Sequence, residues 1–240
     1  MNYPEKIDLV GSFLNFISHN NDYPDHEDIR NITIDGIAQT TQSYFVALCL
    51  ANKLTSIKYV KENISTSFES EDLKVLNFSY DGFIKDSYFL KFFVFFENHI
   101  RQIGSFYEAN KNELNHNSIS QTIKNIINNR KLEYFSTISN YEIDVLLFFC
   151  YLRNTMHNIG FQSQDNQEIE IQDNNSIIDR EAIKLKLIKN DANQITFKEL
   201  LLLIEQVFKI ILKLNQQIPA TDKIKHKLIQ IGYNQRVTSS

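Results

Sequence analysis

Residues 138–160 read ISNYEIDVLLFFCYLRNTMHNIG. Ser139 and Glu142 have the spacing of a capping box. Ile138 and Ile143 flank them where a hydrophobic staple ties the incoming chain to the first helical turn. Val145 to Leu152 is apolar on every face of a helix, which predicts an element surrounded by other elements. Gly160 then supplies a helix stop at C′. A helix buried on all sides needs neighbours, and the sequence on both sides provides them.

Before this stretch, Phe89, Phe92, Phe93, Phe96, Ile100 and Ile103 recur at i, i+3, i+4, i+7 spacing, predicting a helix from about Ile84 to Ala109. That stripe is either core or a dimer seam. Asn115 to Asn117 break the chain. Ser118 with Gln121 then reads as a capping box opening a helix to about Arg130. Further upstream, Asp35 is expected to cap a helix from about Ile37 to Lys61, with Phe45, Leu48 and Ala51 along it. Ile7, Val10, Leu14 and Ile17 predict a short opening helix. His19 to Arg30 and Ser65 to Gly82 read as loops, the second with a turn at Asp81-Gly82.

After it, the chain turns polar, with turn-like clusters at Asp173-Asn174-Asn175 and Asn190-Asp191-Ala192-Asn193. Glu168-Ile169-Glu170-Ile171 and Ile183 to Leu187 alternate with period two, which predicts a small β-hairpin. Thr196 and Glu199 repeat the capping box, with Ile195 and Leu200 as its staple. The helix they open, from Phe197 to about Gln216, is closed by Pro219. Ile224, Leu228 and Ile231 suggest a short C-terminal helix. The expected fold is mainly α: a helical bundle with a small β-hairpin insertion before the last long helix. In domain terms this is an N-terminal extension over 1–34, a bundle over 35–218 with the hairpin near 168–195, and a short helix and tail over 219–240.

The bulk composition agrees with long helices. Three prolines and six glycines in 240 residues leave few points at which helices must stop. A formal charge of -4 excludes strong nonspecific nucleic-acid binding by net charge alone, while a local basic patch is compatible with it. Cys49 and Cys150 lie inside apolar stretches and read as buried free thiols of a reducing compartment. His19, His26 and His116 stand in polar loops without the spacing of a metal site. The first residues lack the basic and apolar regions of a signal peptide, and no apolar run is long enough for a membrane span. A cytoplasmic protein with no cofactor and no membrane partner is expected.

Chemistry concentrates at the end of the quoted helix, in Arg153-Asn154-Thr155-Met156-His157-Asn158. Arg153 and His157, four residues apart, share one helical face. A guanidinium can grip two phosphate oxygens at once, and a histidine beside it can move the proton of a ribose hydroxyl or a leaving oxygen. Asn154 and Asn158 offer neutral donors and acceptors to orient either one. The same residues are also ordinary chemistry for a helix C-terminus followed by glycine. Glu97 and Arg101 form a second candidate, readable as cleft-lining charges or as a plain i, i+4 pair on a helix surface. His99 between them is expected to be exposed. Lys223, Lys225, His226, Lys227 and Arg236 make the tail basic, which reads as a solvated face or as a contact to RNA phosphates.

The string from Arg153 to Asn158 resembles the signature of the HEPN (higher eukaryotes and prokaryotes nucleotide-binding) superfamily. These are small helical bundles whose late helix carries an Arg, commonly followed by Asn, and then a His. The layout over roughly residues 35–216 resembles the family too. The resemblance implies a metal-independent endoribonuclease of a toxin–antitoxin or antiviral-defence type. Arg153 and His157 would be catalytic, Asn154 and Asn158 orienting, and Glu97 and Arg101 substrate-binding. It also implies RNA as substrate, a homodimer with motifs from both protomers facing one cleft, and a cognate antitoxin or regulatory protein. Fewer residues separate Arg153 from His157 than the family usually has, and each residue removed rotates the histidine about 100° around the helix. That departure favours the alternative, a non-catalytic RNA- or nucleotide-binding or protein-interaction module on the same scaffold.

Overall fold

The computed structural model describes residues 1–20, 23, 25–107, 118–128, 137–158 and 160–225, with the side chains of all of these except 127, 128 and 157. In chain order they form α1 (Tyr3–Ser18), α2 (Ile29–Leu54), α3 (Ile57–Asn63), α4 (Ser70–Tyr107), α5 (Ile119–Asn128) and α6 (Asn140–His157). The hairpin strands β1 (Gln167–Ile171) and β2 (Ile183–Leu187) follow, and then α7 (Phe197–Gln217). The fold is mainly helical with one antiparallel hairpin before the last helix.

The capping chemistry read from the sequence is in place on α6 and α7. The Ser139 hydroxyl accepts from Glu142 N at 3.2 Å while Ser139 N donates to the Glu142 carboxylate at 2.7 Å. Thr196 and Glu199 repeat the exchange. Each cap satisfies backbone donors that a helix start otherwise leaves open. On α5 only half of the expected box forms: Gln121 N donates to Ser118 Oγ, but the Gln121 side chain turns forward to Asn125.

Two helices differ from expectation in their bounds. The N-cap of α2 is Asp28, so Asp35 lies inside the helix, which also ends sooner, at Leu54. Asp28 wins because its carboxylate is occupied twice. It accepts from Arg30 N at 2.8 Å, and its two oxygens take the Arg30 guanidinium at 2.8 Å each. The second difference is α4, which begins at Ser70 and runs through Asp81-Gly82 without a turn. Lys6 on α1 holds Asp81 at 2.7 Å, so the aspartate serves tertiary packing instead of a turn. Beyond α7, Ile224 and Lys225 are extended and bridge to Asp28; the remainder of the predicted C-terminal helix, with Leu228 and Ile231, lies outside the described residues. So do Asn115 to Asn117.

The core is aromatic at its centre. Phe149 of α6 sits among Phe89, Phe92, Phe93 and Phe96 of α4, with ring centroids 5.1, 5.9, 5.4 and 5.3 Å away. Edge-to-face contacts of this kind add to the burial of the rings themselves. The phenylalanine stripe of α4 is therefore core. Phe13 and Phe16 of α1 meet Phe208 of α7 at 5.9 Å, tying both ends of the chain to one apolar cluster. The hairpin turns Ile169, Ile171, Leu185 and Leu187 inward, in register Ile169 to Leu185, and β1 packs on α6. Its connecting segment is anchored to α7 through the fully buried Glu205, which accepts from Ser176 Oγ at 2.6 Å and Ile177 N at 3.0 Å and pairs with Lys209 at 2.7 Å.

Candidate functional site

α6 carries Cys150, Arg153, Asn154 and His157 at i, i+3, i+4 and i+7, the spacing of a single helical face. Where that face meets α4, the Arg153 guanidinium lies over the Phe93 ring, 5.5 Å from its centroid. One turn further along α4 is Glu97, and one turn beyond that Arg101. Glu97 and Arg101 are paired through Nη2 at 2.8 Å and Nε at 2.9 Å, each side chain somewhat more than a quarter exposed. The i, i+4 reading of this pair is correct, and the pair also stands at the α4–α6 seam. Burial pushes the Cys150 thiol well up; the Glu97 carboxylate pushes it further, and Arg153 and Arg101 pull it back. Cys150 is thus a neutral core thiol, and the charges of Glu97, Arg101 and Arg153 converge around it.

Arg153 is half-buried, and no carboxylate among the described residues pairs with it. Its one hydrogen bond, to Asn154 Oδ1, is long at 3.4 Å. Asn154 therefore stands beside the guanidinium. Asn158 is placed differently. It is the C-cap of α6, its N–H reaching Asn154 O and Thr155 O, and its side-chain amide donates to Ser163 Oγ at 2.9 Å. His157 is the last residue of α6, and its side chain lies outside the described residues.

The exit of the motif helix is held by backbone hydrogen bonds. Gly160, at φ +86, adopts a left-handed conformation and donates to Thr155 O at 2.8 Å. Only glycine takes such a conformation without steric cost. Asn193 N closes on Gly160 O at 2.7 Å, and Gln162 exchanges backbone bonds with Asn190 and Asp191. The second turn cluster read from the sequence thus clamps the chain just after the motif. Asn190, at φ 61, is the residue type best suited to that turn after glycine.

Several other candidates are resolved by their surroundings. His99, expected on the surface, is fully buried. α4 turns it toward α2, where its Nδ1 lies 3.1 Å from Thr33 Oγ1. Burial lowers its pKa to about 4, while Asp28 and the neighbouring Asn215 favour the charged form. His99 Nε2 and both side-chain polar atoms of Asn215 are buried without a hydrogen bond, so Asn215 acts on the ring at a distance longer than a bond. Lys223 and Lys225 are spent on Asp25 at 3.0 Å and Glu27 at 2.9 Å; His226, Lys227 and Arg236 lie outside the described residues. Among the described residues, no helix is long and apolar enough to cross a membrane, and no three of His, Cys, Asp and Glu are grouped to hold a metal ion.

Phe93 beneath Arg153 and Cys150 behind it were not among the residues singled out for the site. The cysteine had a readable signal, since it precedes Arg153 by three residues. The phenylalanine had none, because nothing local tells which residue of α4 meets which turn of α6. No family model matches this chain, and no curated protein or solved structure matches it significantly.

Proposed function

We propose that the α4–α6 seam is a phosphate-binding site, and that this is an HEPN-like protein acting on RNA as a metal-independent endoribonuclease. The observation that carries the reading is Arg153: a half-buried guanidinium, backed by the Phe93 ring, with no carboxylate among the described residues to neutralise it. A structural arginine at that depth normally has an acidic partner, and one without is free to take an anion. In this reading Arg153 grips two non-bridging oxygens of the scissile phosphate. The ribose 2′-hydroxyl attacks phosphorus and the 5′-oxygen leaves, giving a 2′,3′-cyclic phosphate and a 5′-hydroxyl. His157 moves one of the two protons, and in a homodimer the second protomer's histidine moves the other. Asn154 orients the guanidinium. The Glu97–Arg101 pair borders the strand's path.

A second reading is favoured by Asn158. Its side chain is committed to Ser163 and its backbone to the helix cap, so one of the four motif residues is structural. On that ground the same seam serves a non-catalytic module that binds RNA, a nucleotide or a partner protein. A toxin or antiviral role, with a cognate antitoxin, belongs to the catalytic reading alone.

The experiment is RNA cleavage in EDTA with analysis of product ends, using wild type, Arg153→Ala and His157→Ala. Cyclic-phosphate ends from wild type, lost in both variants, establish the nuclease. Equal cleavage by all three proteins contradicts it. Binding without cleavage, weakened in Arg153→Ala, selects the second reading.

A further inference from the structure

α2 and α4 diverge on the side away from α6 and leave a groove of about 600 Å³. That volume falls in the range of small-molecule sites, which are mostly apolar with a few placed polar groups. The floor is the stacked pair Tyr44 and Tyr88, with ring centroids 4.3 Å apart and planes within 9°. Tyr80, Phe83 and Phe95 line it as well. Phe95 can lie across α2 only because residue 36 is glycine: a Cβ there would come within 2.1 Å of the ring.

Two observations point to a ligand independently of the groove's shape. Thr40 and Tyr44, 8% and 4% exposed, both line it, and no hydrogen bond among the described residues reaches either hydroxyl. By contrast, the neighbouring Tyr88 hydroxyl, which also lines the groove, is satisfied by Thr41 at 3.2 Å. Thr40 and Tyr44 are buried but their hydroxyls open into the groove, where the polar groups of a ligand can meet them. The second observation is charge. Among the described residues Lys91 is the one charged residue of the lining; it is exposed and has no ion pair among them. An exposed cation on the lining of an apolar groove offers an anionic group a partner there.

We propose that this groove binds a small amphipathic carboxylate: a flat apolar body over the Tyr44–Tyr88 stack, its carboxylate on Lys91. The Thr40 and Tyr44 hydroxyls bond polar substituents of the body. The site lies away from Arg153 and does not depend on the RNA reading.

The test is calorimetric titration of the intact protein with 1-naphthaleneacetate and with its neutral amide. Wild type, Lys91→Met, which keeps the apolar stem, and Ala47→Phe, which fills the groove, are compared, with circular dichroism to establish folding. Wild type is expected to bind the carboxylate saturably, about ten-fold tighter than the amide. Lys91→Met should reduce the carboxylate to the amide's affinity, and Ala47→Phe should abolish both. Absence of saturable binding up to about 1 mM overturns the proposal, since that corresponds to a negligible site. So does equal affinity for acid and amide in wild type. A mass twice that of the chain by light scattering, reduced to one by Phe83→Ser, would make a second copy the occupant and also overturn it.

Discussion

His99 shows how one buried side chain ties stability to pH. Its pKa in the fold is about 4, against an ordinary value near 6.5, because burial penalises the imidazolium. Between those values the unfolded chain takes up a proton that the folded chain refuses. Stability from this group is therefore complete above pH 6.5 and is lost as pH falls toward 4. The loss is about 3 kcal/mol over that interval. Urea unfolding of wild type and His99→Gln from pH 7 to pH 4 checks it: the variant should lack most of the wild-type decline. A parallel decline would place the titration elsewhere. Nothing in the sequence marked His99 as internal, since its neighbours Glu97, Asn98 and Arg101 are polar. Arg153 is the reverse case. Its chemistry was plain in the sequence, but the absence of an acidic partner among the described residues is a property of their packing.

At the scale of elements, caps and apolar stripes were legible and the first half of α4 was not. Capping boxes are local devices, so Ser139, Glu142, Thr196 and Glu199 could be read directly. From Ser70 to Phe83, α4 buries little, and Val75, Phe78 and Phe83 point outward. A helix that leaves apolar residues outside has no stripe to read, and Asp81-Gly82 then imitates a turn. Gly82 is helical instead, with nothing within 4 Å of where a Cβ would stand. Gly82→Ala should therefore stabilise the protein by about 0.5–1 kcal/mol, by restricting the unfolded chain and raising helix propensity. A thermal melt shows it as a higher midpoint. A lower midpoint would mean that the helix is bent or broken at this position.

The molecule as a whole is closed by long-range bonds that no local pattern announces. Arg30, beside the α2 cap, donates to Asp222 O at 2.8 Å as well as to Asp28, and Ile29 N donates to Ile224 O at 2.8 Å. Tyr107 at the end of α4 donates to the Asp222 carboxylate at 2.8 Å. The segment after α7 is thus strapped to the start of α2, and the expected boundary at residue 35 falls inside that helix. Arg30→Ala leaves the buried Asp28 carboxylate without its partner guanidinium, a loss that costs about 3–5 kcal/mol when one member of a buried pair is removed. Chemical denaturation should give a loss of that order, and a change below about 1 kcal/mol would mean that the strap is a surface ornament.

The central claim is that Arg153 serves an anion and not the fold. Among the described residues its contacts are one aromatic face, worth about 0.5–1 kcal/mol at an exposed site, and one long hydrogen bond. The direct measurement is the pair of RNA affinity and thermal midpoint for wild type and Arg153→Ala at low salt. The predicted result is a midpoint lowered by only a few degrees together with a loss of RNA affinity of about ten-fold or more. An unchanged affinity, or a variant that no longer folds, would contradict it.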